Sequence, residues 1–227
     1  KICNFKTITV SKKEALKFAR DCKIIIAGGK IKLDKKFIES CKNLKLILSP
    51  STGTDHICLK TTQKKKIKVV HIAKNFKLIN NFTATSELSF ALLLMLVRKI
   101  LISTNDVRKG IWSRDKNTGF QLKDKTLGII GLGRLGKISS KIAKGFQMKI
   151  VGYDIRHINL RGVQKVSLNR LLKISDIIFL HVHLNNQTEN LINKKTIKKM
   201  KKNVIIINTS RGKIINEKDL LLALRKK

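Results

Sequence analysis

The chain has 227 residues, enough for one large domain or two small ones, and its 42% hydrophobic content excludes a disordered polypeptide. Fifty lysines and arginines against 14 acidic residues give a net charge of +36, but 40 of the 50 are lysine and the excess is spread along the chain (20 basic and 5 acidic residues in 1–84, 30 and 9 in 85–227), so a solvated basic surface is expected and no specific nucleic-acid partner. The longest uncharged apolar run, Phe90–Val97, is too short to span a bilayer, no signal-peptide pattern opens the chain, and Cys3, Cys22, Cys41 and Cys58 lie too far apart for a zinc site or a disulfide framework; a cytoplasmic protein with no metal and no membrane partner is expected.

Ser11 and Glu14 make a capping box that starts a helix running to about Arg20. A strand at Lys23–Ala27 ends on Gly28-Gly29, a helix near Asp34–Cys41 follows, and a second strand covers Leu44–Ser49. The small-residue loop Ser51–Asp55 then lies past a strand's carboxyl end, where parallel sheets bind ligands. It reads equally as an anion-binding turn and as an ordinary strand-to-helix connection. A helix or turn around Leu59–Lys64 leads to a strand at Ile67–Ile72. Residues Thr83–Thr104 read as one long helix, apolar on all sides at its centre, which fits an interface helix or a core helix. An exposed connection at Gly110–Asn117 closes this part. Strands alternating with helices make the fold class α/β with parallel sheets. A domain boundary is expected near residue 84, giving units 1–84 and 85–227.

The most informative stretch is 127–154. A short buried-strand run (Leu127, Ile129, Ile130) precedes Gly131, Gly133 and Gly136 in the spacing G-x-G-x-x-G, a helical pattern follows, and a strand at Lys149–Tyr153 ends on Asp154. Each glycine has a physical task in holding a dinucleotide: a tight turn, close approach of backbone to pyrophosphate, and close packing of helix on strand. Free N–H groups at the helix start meet the phosphate charge. Asp154 can accept hydrogen bonds from the adenosine ribose hydroxyls and repels a 2′-phosphate, so NAD is favoured over NADP. Arg156 pulls the other way. Further on, Leu168–Ile174 reads as helix, Asp176–His181 as strand, Ile192–Met200 as a basic helix, and Val204–Asn208 as strand. Asn216 caps a last helix, Glu217–Leu224, with Glu217 and Asp219 in its first turn.

Three more stretches, STGTDHIC (51–58), TSELSFALLLMLVRKI (85–100) with RKGIW (108–112), and 175–224 with NTSRGKIINEKDL at its heart, join GIIGLGRLGK and YD in resembling the D-isomer-specific 2-hydroxyacid dehydrogenases, especially the phosphoglycerate dehydrogenase-like members. The resemblance implies a smaller flavodoxin-like substrate domain, a Rossmann NAD-binding domain, and a homodimer formed through the helix matching 85–103. It implies an oxidoreductase transferring hydride between NAD and C2 of a small 2-hydroxy or 2-oxo acid, 3-phosphoglycerate-like or another. Backbone at Arg134 and Leu135 would hold the pyrophosphate, Asp154 the ribose, and Thr209, Ser210 and Arg211 the nicotinamide end. Arg211 would grip the substrate carboxylate, with backbone at Thr52 and Gly53 on its other side.

Cys58 stands where the family commonly has Asp, and His183 where many members have Pro. The family's catalytic Glu and His fall beyond residue 227, so both domains are expected to be incomplete here and these residues alone to be inactive. Neither His181 nor His183 is expected to replace that base. The alternative reading is an NAD-sensing, corepressor-like binding protein without turnover.

Overall fold

The computed structural model describes residues 11–113 and 115–225, so Cys3 and the opening segment lie outside the described residues. Contacts fall into two units, one ending at Asn81 and the other beginning at Phe82.

In the first unit α1 (Lys12–Ala19) starts on the Ser11–Glu14 capping box, which satisfies two amide donors that a helix start otherwise leaves bare. β1 (Ile24–Ile26), α2 (Lys35–Ser40, capped by Asp34), β2 (Leu46–Ser49), α3 (Leu59–Lys64), β3 (Lys68–His71) and α4 (Phe76–Asn80) follow. The three strands pair in parallel in the order β1-β2-β3, with Ile25, Ile47 and Val69 side by side. That row, with Ala15, Ala19, Phe37 and Ile38, forms the core of the unit. The alternate residues Ile24 and Ile26 are exposed.

The second unit opens with α5 (Ala84–Val97) and α6 (Ile100–Arg108). The single helix expected over 83–104 is therefore two. Lys99 turns left-handed (φ 53°) between them, and the amide of Phe120 donates to the Val97 carbonyl (3.2 Å) that a continuing helix would need. Beyond lie β4 (Thr126–Ile130), α7 (Arg134–Gly145), β5 (Lys149–Tyr153), β6 (Gln164–Lys165), α8 (Leu168–Ile174), β7 (Ile177–Leu180), α9 (Lys194–Ile197), β8 (Ile205–Asn208) and α10 (Glu217–Arg225). The basic helix expected over 192–200 shrinks to one turn, because Ile192 is fully buried in a bridge to Ile215 and Asn193 caps the helix only after it.

All five strands are parallel, in the order β6-β5-β4-β7-β8. In order of appearance that is 3-2-1-4-5, the doubly wound arrangement of a Rossmann unit. One face of the sheet (Leu127, Ile129, Ile177, Phe179) packs on Phe90, Leu93 and Val97 of α5, and the other (Val151, Ile178, Leu180) on Leu171 and Leu172 of α8. Burial on both faces is why these strands read as unbroken apolar runs. The order reverses between β4 and β7, and the carboxyl ends of those two strands, at Gly131 and His181, mark the crevice where such sheets take ligands. No helix among the described residues is long and apolar enough to cross a membrane.

Candidate functional site

The turn after β4 is shaped by its glycines. Gly131 holds φ +98°, and a Cβ there would press into the His181 carbonyl. A Cβ on Gly136 would press into the Gly131 carbonyl oxygen, with Gly131 C at 3.1 Å, so only glycine lets α7 sit this close to its strand. Gly133 differs from both. A Cβ there would meet only the tip of Arg156, at 3.5 Å from Nη2, so the space above it is free of other protein atoms. Gly133 is also the residue before α7, so the first amides of that helix, at Arg134 and Leu135, have no intrahelical acceptor and carry the positive end of its dipole. An open backbone cradle next to free amides fits a dinucleotide's pyrophosphate.

The side chain of Asp154, just past the end of β5, is only 6% exposed. Its Oδ2 accepts from the Leu132 amide (2.8 Å), which ties β5 to the turn. Its Oδ1 accepts from the Arg156 amide (2.9 Å) and from Arg156 Nε (3.2 Å). Burial by itself would raise the carboxyl, but the Arg156 side chain, the two amides and the guanidinium charge outweigh it and hold Asp154 below the usual carboxylate range. A carboxylate oxygen has two lone pairs. Oδ1 is filled by Arg156, so Asp154 can serve both ribose hydroxyls only when that side chain swings aside.

The carboxyl ends of β7 and β8 carry the other predicted residues. Asn208 sets the turn: its Oδ1 accepts from the Ser210 amide (3.0 Å) and lies 2.8 Å from Ser210 Oγ, and its Nδ2 donates to the Arg211 carbonyl (2.9 Å). Ser210 Oγ also reaches the Leu180 carbonyl at 3.1 Å, holding this turn to β7. The Arg211 guanidinium is half-buried and donates from Nη1 to the Ser210 carbonyl (3.0 Å). Thr209 Oγ1 lies 2.8 Å from Ser89 Oγ of α5. The turn thus brings Thr209, Ser210 and Arg211 together, and Asn208 and Ser89, which sequence reasoning passed over, organise it. Asn208 could have been found, since it opens the NTSRG motif. Ser89 could not, because its partner is 120 residues away.

His181 closes β7 with its Nε2 2.8 Å from Ser139 Oγ of α7 and its ring edge-on to Phe179. Burial pushes it down from 6.5 to about 4. It therefore stays neutral near pH 7 and links α7 to β7 as a structural imidazole. A histidine depressed in the fold contributes its full stability above its unfolded value and loses it as pH falls through the window from 6.5 to about 4. Denaturation by urea is expected to show the second unit losing on the order of 3 kcal/mol across that window. In His181→Gln, which cannot titrate, the slope between pH 6.5 and 4.5, roughly the histidine range, should flatten. An unaltered slope would assign the loss to other groups.

In the first unit, the loop after β2 is drawn tight by Ser51, whose Oγ donates to the Gly53 carbonyl (2.7 Å). His56 is buried, with Nε2 3.2 Å from the Ala27 carbonyl. The amides of Thr52 and Gly53 meet no acceptor among the described residues, which leaves them open to an anion. Among the described residues no group of three or more His, Cys, Asp or Glu side chains could hold a metal ion.

Comparison with known proteins bears on these arrangements. Residues 90–227 match the NAD binding domain of the D-isomer specific 2-hydroxyacid dehydrogenases, and residues 2–78 match the catalytic domain of the same family. The chain is 35% identical over 221 residues to D-3-phosphoglycerate dehydrogenase of Methanocaldococcus jannaschii, covering 95% of this chain and 41% of that one. It is 38% identical over 205 residues to glyoxylate reductase of Thermococcus litoralis, covering 86% and 60%. It therefore spans about half the length of these relatives. Among solved structures, D-lactate dehydrogenase from Aquifex aeolicus, complexed with NAD and lactic acid, is 32% identical with a TM-score of 0.84, over 96% of this chain and 64% of that one.

Proposed function

Because the chain belongs to the D-isomer-specific 2-hydroxyacid dehydrogenase family, we propose that the protein transfers a hydride between NAD and C2 of a small D-2-hydroxy acid. The observation that carries this reading is the open backbone over Gly133 in the same crevice that receives the Thr209–Arg211 turn. NAD, when bound, supplies or accepts the hydride. Arg211 grips the carboxylate common to all these acids with a planar, always-charged pair of donors, and the amides of Thr52 and Gly53 are donors of the kind a carboxylate takes. Arg134 and Leu135 hold the pyrophosphate by their amides, and Thr209 and Ser210 line the nicotinamide. The relatives' names span 3-phosphoglycerate and glyoxylate chemistry, so the substrate class is a 2-oxo or 2-hydroxy carboxylate, with a 3-phosphoglycerate-like acid as one member. Leu88, Leu92 and Leu96, exposed at four-residue spacing along α5, support a homodimer through α5 and α6.

Calorimetry tests the reading. NAD is expected to bind saturably, and glyoxylate, hydroxypyruvate or pyruvate to bind the NADH-loaded protein and to lose that binding in Arg211→Ala. NAD binding without any 2-oxo acid binding would favour the sensing, corepressor-like alternative. Absence of nucleotide binding would sink both.

Cofactor choice gives a second test. Asp154→Ala is expected to weaken NAD by about 1–3 kcal/mol, the worth of hydrogen bonds to a charged group. Arg156 screens that carboxylate and can swing onto a 2′-phosphate. Arg156→Ala should therefore weaken NADP about tenfold, the loss of roughly one charge-assisted contact, while NAD binds at least as well. An NAD-to-NADP ratio unmoved by both substitutions would remove this pair from the adenosine end.

A further inference from the structure

Ser89 of α5 is fully buried and takes part in two contacts. Its Oγ lies 3.0 Å from the Thr85 carbonyl and 2.8 Å from Thr209 Oγ1. A serine hydroxyl has one hydrogen to give, and a carbonyl can only accept. With the Ser89 hydrogen on Thr85, the contact to Thr209 is made by the Thr209 hydrogen, and both bonds form. The reverse polarity, with Ser89 donating to Thr209, also fits the 2.8 Å distance but leaves the 3.0 Å contact to the Thr85 carbonyl without its hydrogen. Thr209 then has no hydrogen left for a ligand. Only its lone pairs then remain for a ligand, just past the carboxyl end of β8 and two residues before Arg211.

We propose that Ser89 is a positioning residue that fixes Thr209 as an acceptor, so that this end of the site selects a ligand group bearing an N–H donor. On the reading above that Thr209 lines the nicotinamide end, the group is the carboxamide N–H₂ of NAD. α5 is suited to the task. Phe90, the next residue, stacks on Phe146 (centroids 5.7 Å) and packs edge-on to Phe179 (5.1 Å), and Ser86 Oγ donates to the Leu135 carbonyl (3.3 Å) near the phosphate turn. The helix carrying Ser89 is therefore held to both ends of the crevice and cannot rotate the hydroxyl away.

The test compares NAD with 3-acetylpyridine adenine dinucleotide, in which a methyl replaces the carboxamide N–H₂, and with ADP-ribose, which lacks the ring. Binding is read by calorimetry on the unaltered protein, Ser89→Ala, Ser89→Thr and Thr209→Val. The unaltered protein is expected to prefer NAD to the acetylpyridine analogue by about tenfold or more, because an acceptor facing a methyl goes unpaired. Ser89→Ala frees the Thr209 hydroxyl to rotate and should cut that preference to about threefold or less, and Thr209→Val should do the same. Ser89→Thr, which keeps the hydroxyl, should restore it. ADP-ribose should bind all four equally, which reports that the fold and the phosphate turn are intact. A Ser89→Ala protein that binds ADP-ribose normally and keeps the full preference would overturn the inference. So would an unaltered protein that binds NAD and the analogue equally. If the unaltered protein bound neither NAD nor ADP-ribose, the functional reading itself would fall instead.

Discussion

Gly133→Ala is expected to abolish NAD binding while leaving the melting temperature unchanged, whereas Gly136→Ala is expected to lose both binding and stability. The two glycines belong to one motif but face different neighbours. A methyl on Gly133 meets no protein atom closer than Arg156 Nη2 at 3.5 Å, an ordinary contact with the mobile end of a side chain. Its backbone (φ −67°, ψ −155°) is extended with a negative φ, so no left-handed strain arises. The folded protein should therefore tolerate the methyl, which occupies the space a pyrophosphate needs. A loss of at least 100-fold, about 2.7 kcal/mol, is expected for NAD. A methyl on Gly136 runs into the backbone of Gly131, which is itself anchored by its amide donating to the Tyr153 carbonyl (2.8 Å). Overpacking of this kind costs about 1–3 kcal/mol or more, and at this size roughly 2–4 °C of melting temperature per kcal/mol. Parallel thermal melts and NAD titrations on the two variants check this. Equal melting points for both would refute the assigned packing of α7 on β4, and normal NAD binding by Gly133→Ala would remove the cradle from the site.

The features legible in the sequence were those whose causes are local. The turn at 131–136, its helix and the acid closing the next strand all lie within 28 residues, and each stands in the fold where the spacing puts it. The break at Lys99 was not legible, because it is imposed from outside the helix: Phe120 takes the Val97 carbonyl, and a Cβ on Gly119 would collide with that same carbonyl. The helical period of 83–104 carries no trace of that encounter. Likewise Ile192 suits a helix by pattern, but burial beside Ile215 outweighs propensity. The two-residue β6 has no signal of its own and exists because Val151 and Gly152 offer it an edge. At the site, Asp154 and Arg156 were both visible as opposing influences on the cofactor. The sequence did not show that one arginine fills both acceptor positions of Oδ1. The Ser89–Thr209 and His181–Ser139 pairs join residues 120 and 42 positions apart and became visible only once the sheet order was known.

Residues 1–227 by themselves are expected to bind NADH and a 2-oxo acid without measurable turnover. Reduction at C2 leaves an oxygen that must take up a proton, and a positioned acid–base group is typically worth about 10²–10⁴ in rate. The chain has five histidines. His181 is committed to Ser139 and, at about 4, is a poor proton donor at neutral pH. His157 has its Nδ1 3.1 Å from Lys165 Nζ beyond Asp154, at the adenosine end of the crevice. His56 is buried and engaged with the Ala27 carbonyl. Among the described residues neither His71, whose buried Nδ1 has no hydrogen-bond partner, nor the exposed His183 has a carboxylate partner to orient it. The family resemblance implies an acid–base Glu and His roughly 30 and 50 residues after Arg211, and a nearer but misplaced imidazole does not meet the geometric requirement for proton transfer. Oxidation of NADH with glyoxylate, hydroxypyruvate and pyruvate should therefore stay at background even when calorimetry shows both ligands bound. Joining the C-terminal remainder of the Thermococcus litoralis glyoxylate reductase to Lys227 should raise the rate by about 100-fold or more, and Arg211→Ala in that chimera should raise KM sharply by removing the carboxylate grip. Turnover by residues 1–227 that disappears in Arg211→Ala would show that the proton is handled within this chain, and His183→Gln against His181→Gln would then identify the group.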